Sequence, residues 1–368
     1  MKVLLLDQFS ELGGAQHMLV DLLDAIRGRG WPAAVGIPAG GELCDRTRAL
    51  GFDVLPIPCG PYASGRKSGT DLWRFATGLP RLAGRIRELV AEFEPDLVYI
   101  NGPRLLPAAA LARLQRPVLF HAHIGVSQRA ARLLAGLALR RLNANIVAVC
   151  GDVARTWQPF TEKQIQVVYN GVAGPEYNVS HNGAGPACVG CIGRIAPEKG
   201  QREFLAAAAN IYEALPETRF VIAGAALFSD RTAQSYECAV RETAAGLPVE
   251  FTGWTDNVYG VLKRLDLLLV PSMWDEANPR VVLEAFAAGV PVVAFRRGGV
   301  PEIIQDGTTG FLCDDAGGMA ARTIELLHGE RPRLRAVAQA AREQWQRQFT
   351  REHWQQRMIA ELERVARS

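Results

Sequence analysis

The chain has 368 residues, 48% of them hydrophobic and 21% charged, with a net charge of +3, enough apolar material for two globular domains of ordinary size. No stretch approaches about 18 consecutive apolar residues, which excludes a membrane span. Seven scattered cysteines, an odd count without framework spacing, exclude a disulfide scaffold and fit a reducing cytoplasm.

Met1 to Asp7 is a short apolar run with one lysine and no small-residue cleavage site, so it reads as a first strand rather than a signal peptide. Gly13-Gly14 then opens a helix in which Ala15, Met18, Leu19, Leu22, Leu23 and Ile26 follow the 3.6-residue period. Further strands are predicted at 33–37, 54–57, 97–100, 118–121, 146–149 and 167–168, with helical stretches between them. Such alternation predicts a doubly wound parallel sheet. His121 and His123 close one of these strands and fall on one face of it. Two histidines without a third ligand are too few for zinc, and a core histidine is the alternative reading.

Residues 1–175 carry 20 Lys and Arg against 14 Asp and Glu, and the remainder 21 against 24. The basic excess of the first half suggests an anionic partner there. Arg66, Lys67, Arg74, Arg81, Arg85 and Arg87 accompany Trp73, Phe75 and Leu79, while Arg129, Arg132 and Arg140 share one face of a helix. Basic and apolar groups so mixed would graze an anionic bilayer, solvated helix faces being the plainer alternative.

After a polar connector, Gly174 to Pro186, the pattern restarts, with strands predicted at 188–192, 220–223, 249–252, 267–270, 292–295 and 311–313. Cys188 and Cys191 form a C-x-x-C inside such a strand, with no second pair, and read as core. Gly193-Arg194-Ile195-Ala196-Pro197-Glu198-Lys199-Gly200 follows the first of these strands. Its two cations suit a leaving group that gains charge as a bond breaks. The last helical stretch places Trp354, Met358, Leu362 and Val365 on one face, after Thr350 as a cap.

The rest is organised around residues 271–293. An apolar strand ends at Pro271, Asn278 is the expected N-cap with Pro279 at the first helical position, and Gly289 stops the helix. Glu276 lies just outside that helix and Glu284 inside it. Between them the amides of Arg280, Val281 and Val282 form an expected anion site. A ligand with hydroxyls at both ends and phosphate between them fits, which describes a nucleotide diphosphate sugar.

Glu276, seven residues and Glu284, followed by Ala285, Ala288-Gly289 and Pro291-Val292-Val293, resemble the E-x7-E signature of family 4 retaining glycosyltransferases of GT-B fold. The resemblance implies an α/β architecture of two Rossmann-like domains with parallel sheets facing across a cleft. It implies an acceptor-binding domain over 1–172, a nucleotide-sugar-binding domain over 173–347 and a C-terminal helix, 348–368, crossing back to the first. Arg194 and Lys199 match the family's G-R-x-x-x-x-K-G and would bind the diphosphate. Glu276 would contact the transferred sugar, with Glu284 on the ribose, Trp254 near the base, and Asn278, Arg280, Val281 and Val282 around the donor. Gly14 would face the donor phosphate, and Gly13, His123 and Asn170 the acceptor; His123 matches a histidine near the reacting sugar. Asn170-Gly171-Val172 resembles the interdomain N-G-V-D, with Ala173 in place of the acid. Gly298-Gly299-Val300-Pro301-Glu302 and Asp306 to Gly310 resemble two supporting loops. Ala277-Asn278-Pro279 departs from the family's commoner Pro-Phe-Gly, so the sequence leaves the donor sugar open.

The expected activity is retaining transfer of a hexose from a nucleotide diphosphate sugar, a UDP-sugar first and GDP-mannose second, to a hydroxyl of a glycan or lipid-linked acceptor. Glu276, Arg194, Lys199 and His123 are the expected catalytic set. The resemblance implies no metal and no cofactor beyond the donor substrate, and no nucleic-acid partner is expected. The expected location is cytoplasmic, at the inner face of the membrane. An epimerase or hydrolase would turn over donor without acceptor, and a non-catalytic binding protein would turn over none. The absence of G-x-G-x-x-G disfavours a nicotinamide dehydrogenase.

Overall fold

The computed structural model describes residues 1–60, 69–176, 185–226, 231–329 and 331–367. The chain divides into two compact units, Met1–Asn170 with Arg351–Ser368, and Gly171–Thr350.

The first unit is built on a seven-stranded sheet: β1 (Val3–Leu6), β2 (Ala33–Ile37), β3 (Asp53–Pro56), β4 (Leu97–Ile100), β5 (Val118–Ala122), β6 (Asn145–Ala148) and β7 (Gln166–Val167), in the order 3-2-1-4-5-6-7. All pairings are parallel. The central strands are mostly apolar because helices cover both faces; every residue of β1, β2, β4, β5 and β6 is buried, His121 and Asn145 being the polar ones. The strand order reverses between β1 and β4, where Leu6 pairs with Ile100. The next residues, Asp7 and Asn101, therefore emerge side by side at the carboxyl edge, where doubly wound sheets bind ligands. The Arg351–Ala366 helix belongs to this unit. Its buried Trp354, Met358, Ile359, Leu362 and Val365 join the core made by β1, β2 and the Gly14–Gly28 helix.

The second unit repeats the plan with six parallel strands, β8 (Cys188–Ile192), β9 (Arg219–Ala223), β10 (Val249–Gly253), β11 (Leu267–Val270), β12 (Val292–Phe295) and β13 (Phe311–Cys313), in the order 10-9-8-11-12-13. Its reversal falls between β8 and β11. The Gly193 to Gly200 turn and the Pro271 to Glu276 loop thus leave neighbouring strand ends. Val172 forms a bridge with Thr350 and donates its N–H to the Phe349 carbonyl at 2.9 Å, so the two points of passage between the units adjoin. Burial pushes the Cys191 thiol up to about 12 and that of Cys188 to about 11, which leaves both unreactive at neutral pH.

Candidate active site

Three predicted side chains meet at the second unit's strand reversal. Lys199 Nζ donates to Glu276 Oε1 at 2.7 Å, and the Ser272 hydroxyl donates to the same oxygen at 2.5 Å. Arg194 pairs with Glu198 one turn on, and its charge also reaches Glu276. Glu276 is 16% exposed and Lys199 32%. Burial would raise the Glu276 carboxyl, but the Lys199 charge and hydrogen bond, the Ser272 hydroxyl and the Arg194 charge together hold it below its ordinary value. The result is an ionised carboxylate and two cations, half sheltered from water.

Glycines set this geometry by letting backbone approach backbone. Gly200, at φ +74°, would bring a Cβ within 1.9 Å of the Pro271 carbonyl oxygen, and beside it Met273 N–H donates to Glu198 O at 2.9 Å. Those contacts lock the cation-bearing turn onto the glutamate-bearing loop. Gly298, at φ +53°, lies under Glu276; a Cβ there would meet the Glu276 carbonyl oxygen at 2.5 Å, while Gly299 N–H donates to that oxygen at 2.8 Å. The Gly298-Gly299 loop therefore carries Glu276 from below.

The helix after Glu276 departs from its expected start. It runs Arg280–Ala288 with Pro279 as its N-cap residue, ψ +115°, so Asn278 is one residue too early to cap it. A residue before proline is biased toward extended backbone, and here the proline stays extended too. Val282 is also not a spare donor, because its N–H bonds the Pro279 carbonyl at 3.1 Å. Arg280 and Val281 occupy the first helical turn. Glu284, 15% exposed in the second turn, lies 3.6 Å from Arg280 Nε. Trp254, past the end of β10, is 46% exposed and so is not core.

The first unit holds a polar network at its own strand reversal. Buried Asp7 accepts from Asn101 Nδ2 at 2.5 Å, from Gln16 Nε2 at 3.0 Å and from Phe9 N–H at 2.8 Å. Asn101 Oδ1 lies 2.8 Å from His123 Nε2 and 3.2 Å from the Tyr99 hydroxyl, which is itself 2.6 Å from His121 Nδ1. Burial pushes Asp7 up to about 6 against the pull of its donors and takes His123 down to about 3. Burial, then the neighbouring His123, takes His121 well below its ordinary value. Since folding raises the Asp7 carboxyl, its contribution to stability is full below about pH 4 and lost as pH climbs through about 6.

Gly13 is the N-cap of the Gly14–Gly28 helix, and a methyl at Gly14 would meet nothing within 4 Å. Asn170 is buried as the last residue of the first unit's opening segment. Sequence reading missed Glu198, Ser272, Asp7, Gln16, Tyr99 and Asn101. Two of these carried a legible signal, because Asp7 and Asn101 are the first polar residues after buried apolar strands.

Residues 12–173 match the family model described as Glycosyltransferase Family 4, and residues 176–344 the model described as Glycosyl transferases group 1. The chain is 40% identical over 121 residues to N-acetyl-alpha-D-glucosaminyl L-malate synthase of Bacillus anthracis, a match spanning 31% of each protein. It is 26% identical over 356 residues to phosphatidyl-myo-inositol mannosyltransferase of Mycolicibacterium smegmatis, spanning 90% of this chain and 86% of that one. Among solved structures, Anabaena Alr3699/HepE in complex with UDP and glucose matches at a TM-score of 0.81 and 23% identity, over 99% of both chains. Sucrose-phosphate synthase from Thermosynechococcus elongatus matches at 0.80 and 18%, again over 99% of both. At those identities the likeness establishes the fold.

Proposed function

The chain belongs to the group 1 and family 4 glycosyltransferases of GT-B fold, and from that premise we propose that it transfers a hexose from a nucleotide diphosphate sugar to a hydroxyl of a glycan or lipid-linked acceptor, with retention at the transferred carbon. The observation that carries this reading is the convergence of Arg194, Lys199 and Glu276 at one strand reversal. Arg194 and Lys199 meet the negative charge that grows on the departing diphosphate, as a preorganised donor set does in a sheltered site. Glu276, kept ionised, accepts hydrogen bonds from the sugar hydroxyls and orients the ring. Glu284 receives the ribose hydroxyls, and Arg280 and Val281 face the phosphates from the start of their helix. Among the described residues, no side chain near Glu276 is set up as an activated nucleophile with its own base. Retention therefore proceeds by internal return, in which the acceptor hydroxyl attacks from the face the diphosphate is leaving and a phosphate oxygen takes its proton.

The HepE structure holds UDP and glucose, which puts UDP-sugars ahead of GDP-mannose as donor. In a thermal-shift panel of UDP-, GDP- and ADP-sugars, one UDP-sugar is expected to raise Tm by several degrees. With that donor, acceptor-dependent release of UDP in the presence of EDTA and an axial product linkage by NMR are expected from an α-configured donor. Turnover without acceptor, or an inverted product, would refute the proposal.

The acceptor side is proposed to meet an anionic bilayer peripherally, at the inner face of the membrane; no described helix is long and apolar enough to cross one. The Arg129–Leu142 helix buries Ala135, Gly136, Ala138 and Leu139 and exposes Leu133, Leu134 and Leu137, with Ile124 also exposed nearby in sequence. Its charged residues are four arginines and no acid. Outward leucines bring nothing to the core, and basic flanks suit lipid phosphates. Trp73 is exposed as well, whereas Arg66 and Lys67 lie outside the described residues. Leu137→Glu should abolish co-sedimentation with anionic liposomes at low salt while leaving Tm unchanged. Equal sedimentation of variant and wild type would remove this face from the account.

A further inference from the structure

Asn101 is saturated in one orientation. Its Nδ2 donates to Asp7 Oδ2 at 2.5 Å and to the Ala15 carbonyl at 3.3 Å. An ionised carboxylate and a carbonyl only accept, so the amide cannot be turned round. Its Oδ1 then faces the Tyr99 hydroxyl and His123 Nε2 as an acceptor. For the 2.8 Å contact to be a hydrogen bond, His123 Nε2 must carry the proton, and the lone pair falls on Nδ1. Nδ1 makes no hydrogen bond among the described residues and is not a buried orphan, and His123 is half-buried at the carboxyl end of β5.

We propose that Asp7 and Asn101 are positioning residues that hold His123 as its Nε2–H tautomer and present its Nδ1 as hydrogen-bond acceptor to a hydroxyl of the sugar acceptor. The substrate half of this inference rests on the glycosyltransferase reading above. Burial keeps the imidazole neutral through the working pH range, so His123 aligns the hydroxyl and leaves its proton to the donor phosphate. The lock depends on Asp7 being ionised. A protonated Asp7 gains an O–H that Asn101 Oδ1 can accept, which frees the amide to rotate. The titratable and charged groups around Asp7 are Tyr99 from β4, His121 and His123 from β5, and Arg104, which stacks over Phe9. None of them is a cation bonded to the carboxylate, which leaves burial as its governing influence.

Nitrogen-15 NMR of the full chain reads the tautomer directly. Wild-type His123 is expected to show a protonated Nε2 and a lone-pair Nδ1 at pH 8, and a mixture as pH falls through about 6. Asp7→Asn should give the mixture at every pH, lower kcat about tenfold with the donor KM unchanged, and remove the acidic limb of the pH profile near 6. A merely structural role for Asp7 would shift Tm and leave the tautomer and the limb in place. Protonation on Nδ1 in the wild type, or an Asp7→Asn enzyme with wild-type kcat and an unchanged limb, overturns the inference. The wild-type spectrum needs no variant, so it decides the matter even if Asp7→Asn does not fold. A locked tautomer that loosens in Asp7→Asn, in a protein that transfers no sugar, upholds the lock and refutes the glycosyltransferase reading instead.

Discussion

Lys199→Ala and Arg194→Ala should each lower kcat about 10²–10³-fold, the loss seen when one preorganised donor to a developing anion is removed, equivalent to about 2.7–4 kcal/mol. The two variants should differ in pH dependence. Removing Arg194 frees Glu198 but leaves the Lys199–Glu276 pair in place. Removing Lys199 strips the Glu276 carboxylate of its ion pair and leaves it the Ser272 hydroxyl and the more distant Arg194 charge. Burial then dominates, the carboxyl titrates higher, and Lys199→Ala should lose residual activity at a higher pH than wild type on the acid side. Turnover at saturating donor and acceptor, with thermal unfolding alongside, checks both claims. Near-normal turnover in both variants would remove the diphosphate role from this cluster.

Gly200→Ala should strongly destabilise the second unit. The left-handed backbone alone costs an L-residue about 1–2 kcal/mol. The methyl would also stand 1.9 Å from the Pro271 carbonyl oxygen and 2.8 Å from its carbon, a clash that no rotamer relieves because both partners are backbone. Relief requires the Gly193 to Gly200 turn to part from the end of β11, which breaks the Met273 to Glu198 hydrogen bond and pulls Lys199 away from Glu276. We expect at least about 3 kcal/mol of destabilisation, a fall in Tm of roughly 6–12 °C for a unit of this size, and loss of the donor-induced thermal shift. A variant with wild-type Tm and donor response would mean that the turn and the loop are not locked together as described.

The fold was largely legible because buried parallel strands write themselves as unbroken apolar runs, as at Val3–Leu6 and Leu267–Val270. The cations and glutamates of the second unit were legible too, since Arg194, Lys199, Glu276 and Glu284 keep fixed distances along the chain from strand ends and a helix start. Local detail was less so. The helix after Glu276 begins at Arg280 rather than one residue earlier, because Pro279 keeps an extended ψ that composition does not reveal. The Arg129–Leu142 helix has the amphipathic period of a core helix but shows Leu133, Leu134 and Leu137 outward. Ala135, Gly136 and Ala138 face inward, and Gly136 packs against Phe160, whose ring would lie 2.1 Å from a Cβ there.

Alternating apolar runs and helical periods, read along the chain, determined two parallel sheets and the positions at which charged residues leave them, because a strand buried on both faces keeps charged residues to its ends. Which of those residues meet was decided only in three dimensions. Asp7 and Asn101 are 94 positions apart, and Lys199 and Glu276 77. Each pair touches because the strand order reverses between the two strands that carry it, and that adjacency is a property of the sheet rather than of any local stretch of sequence.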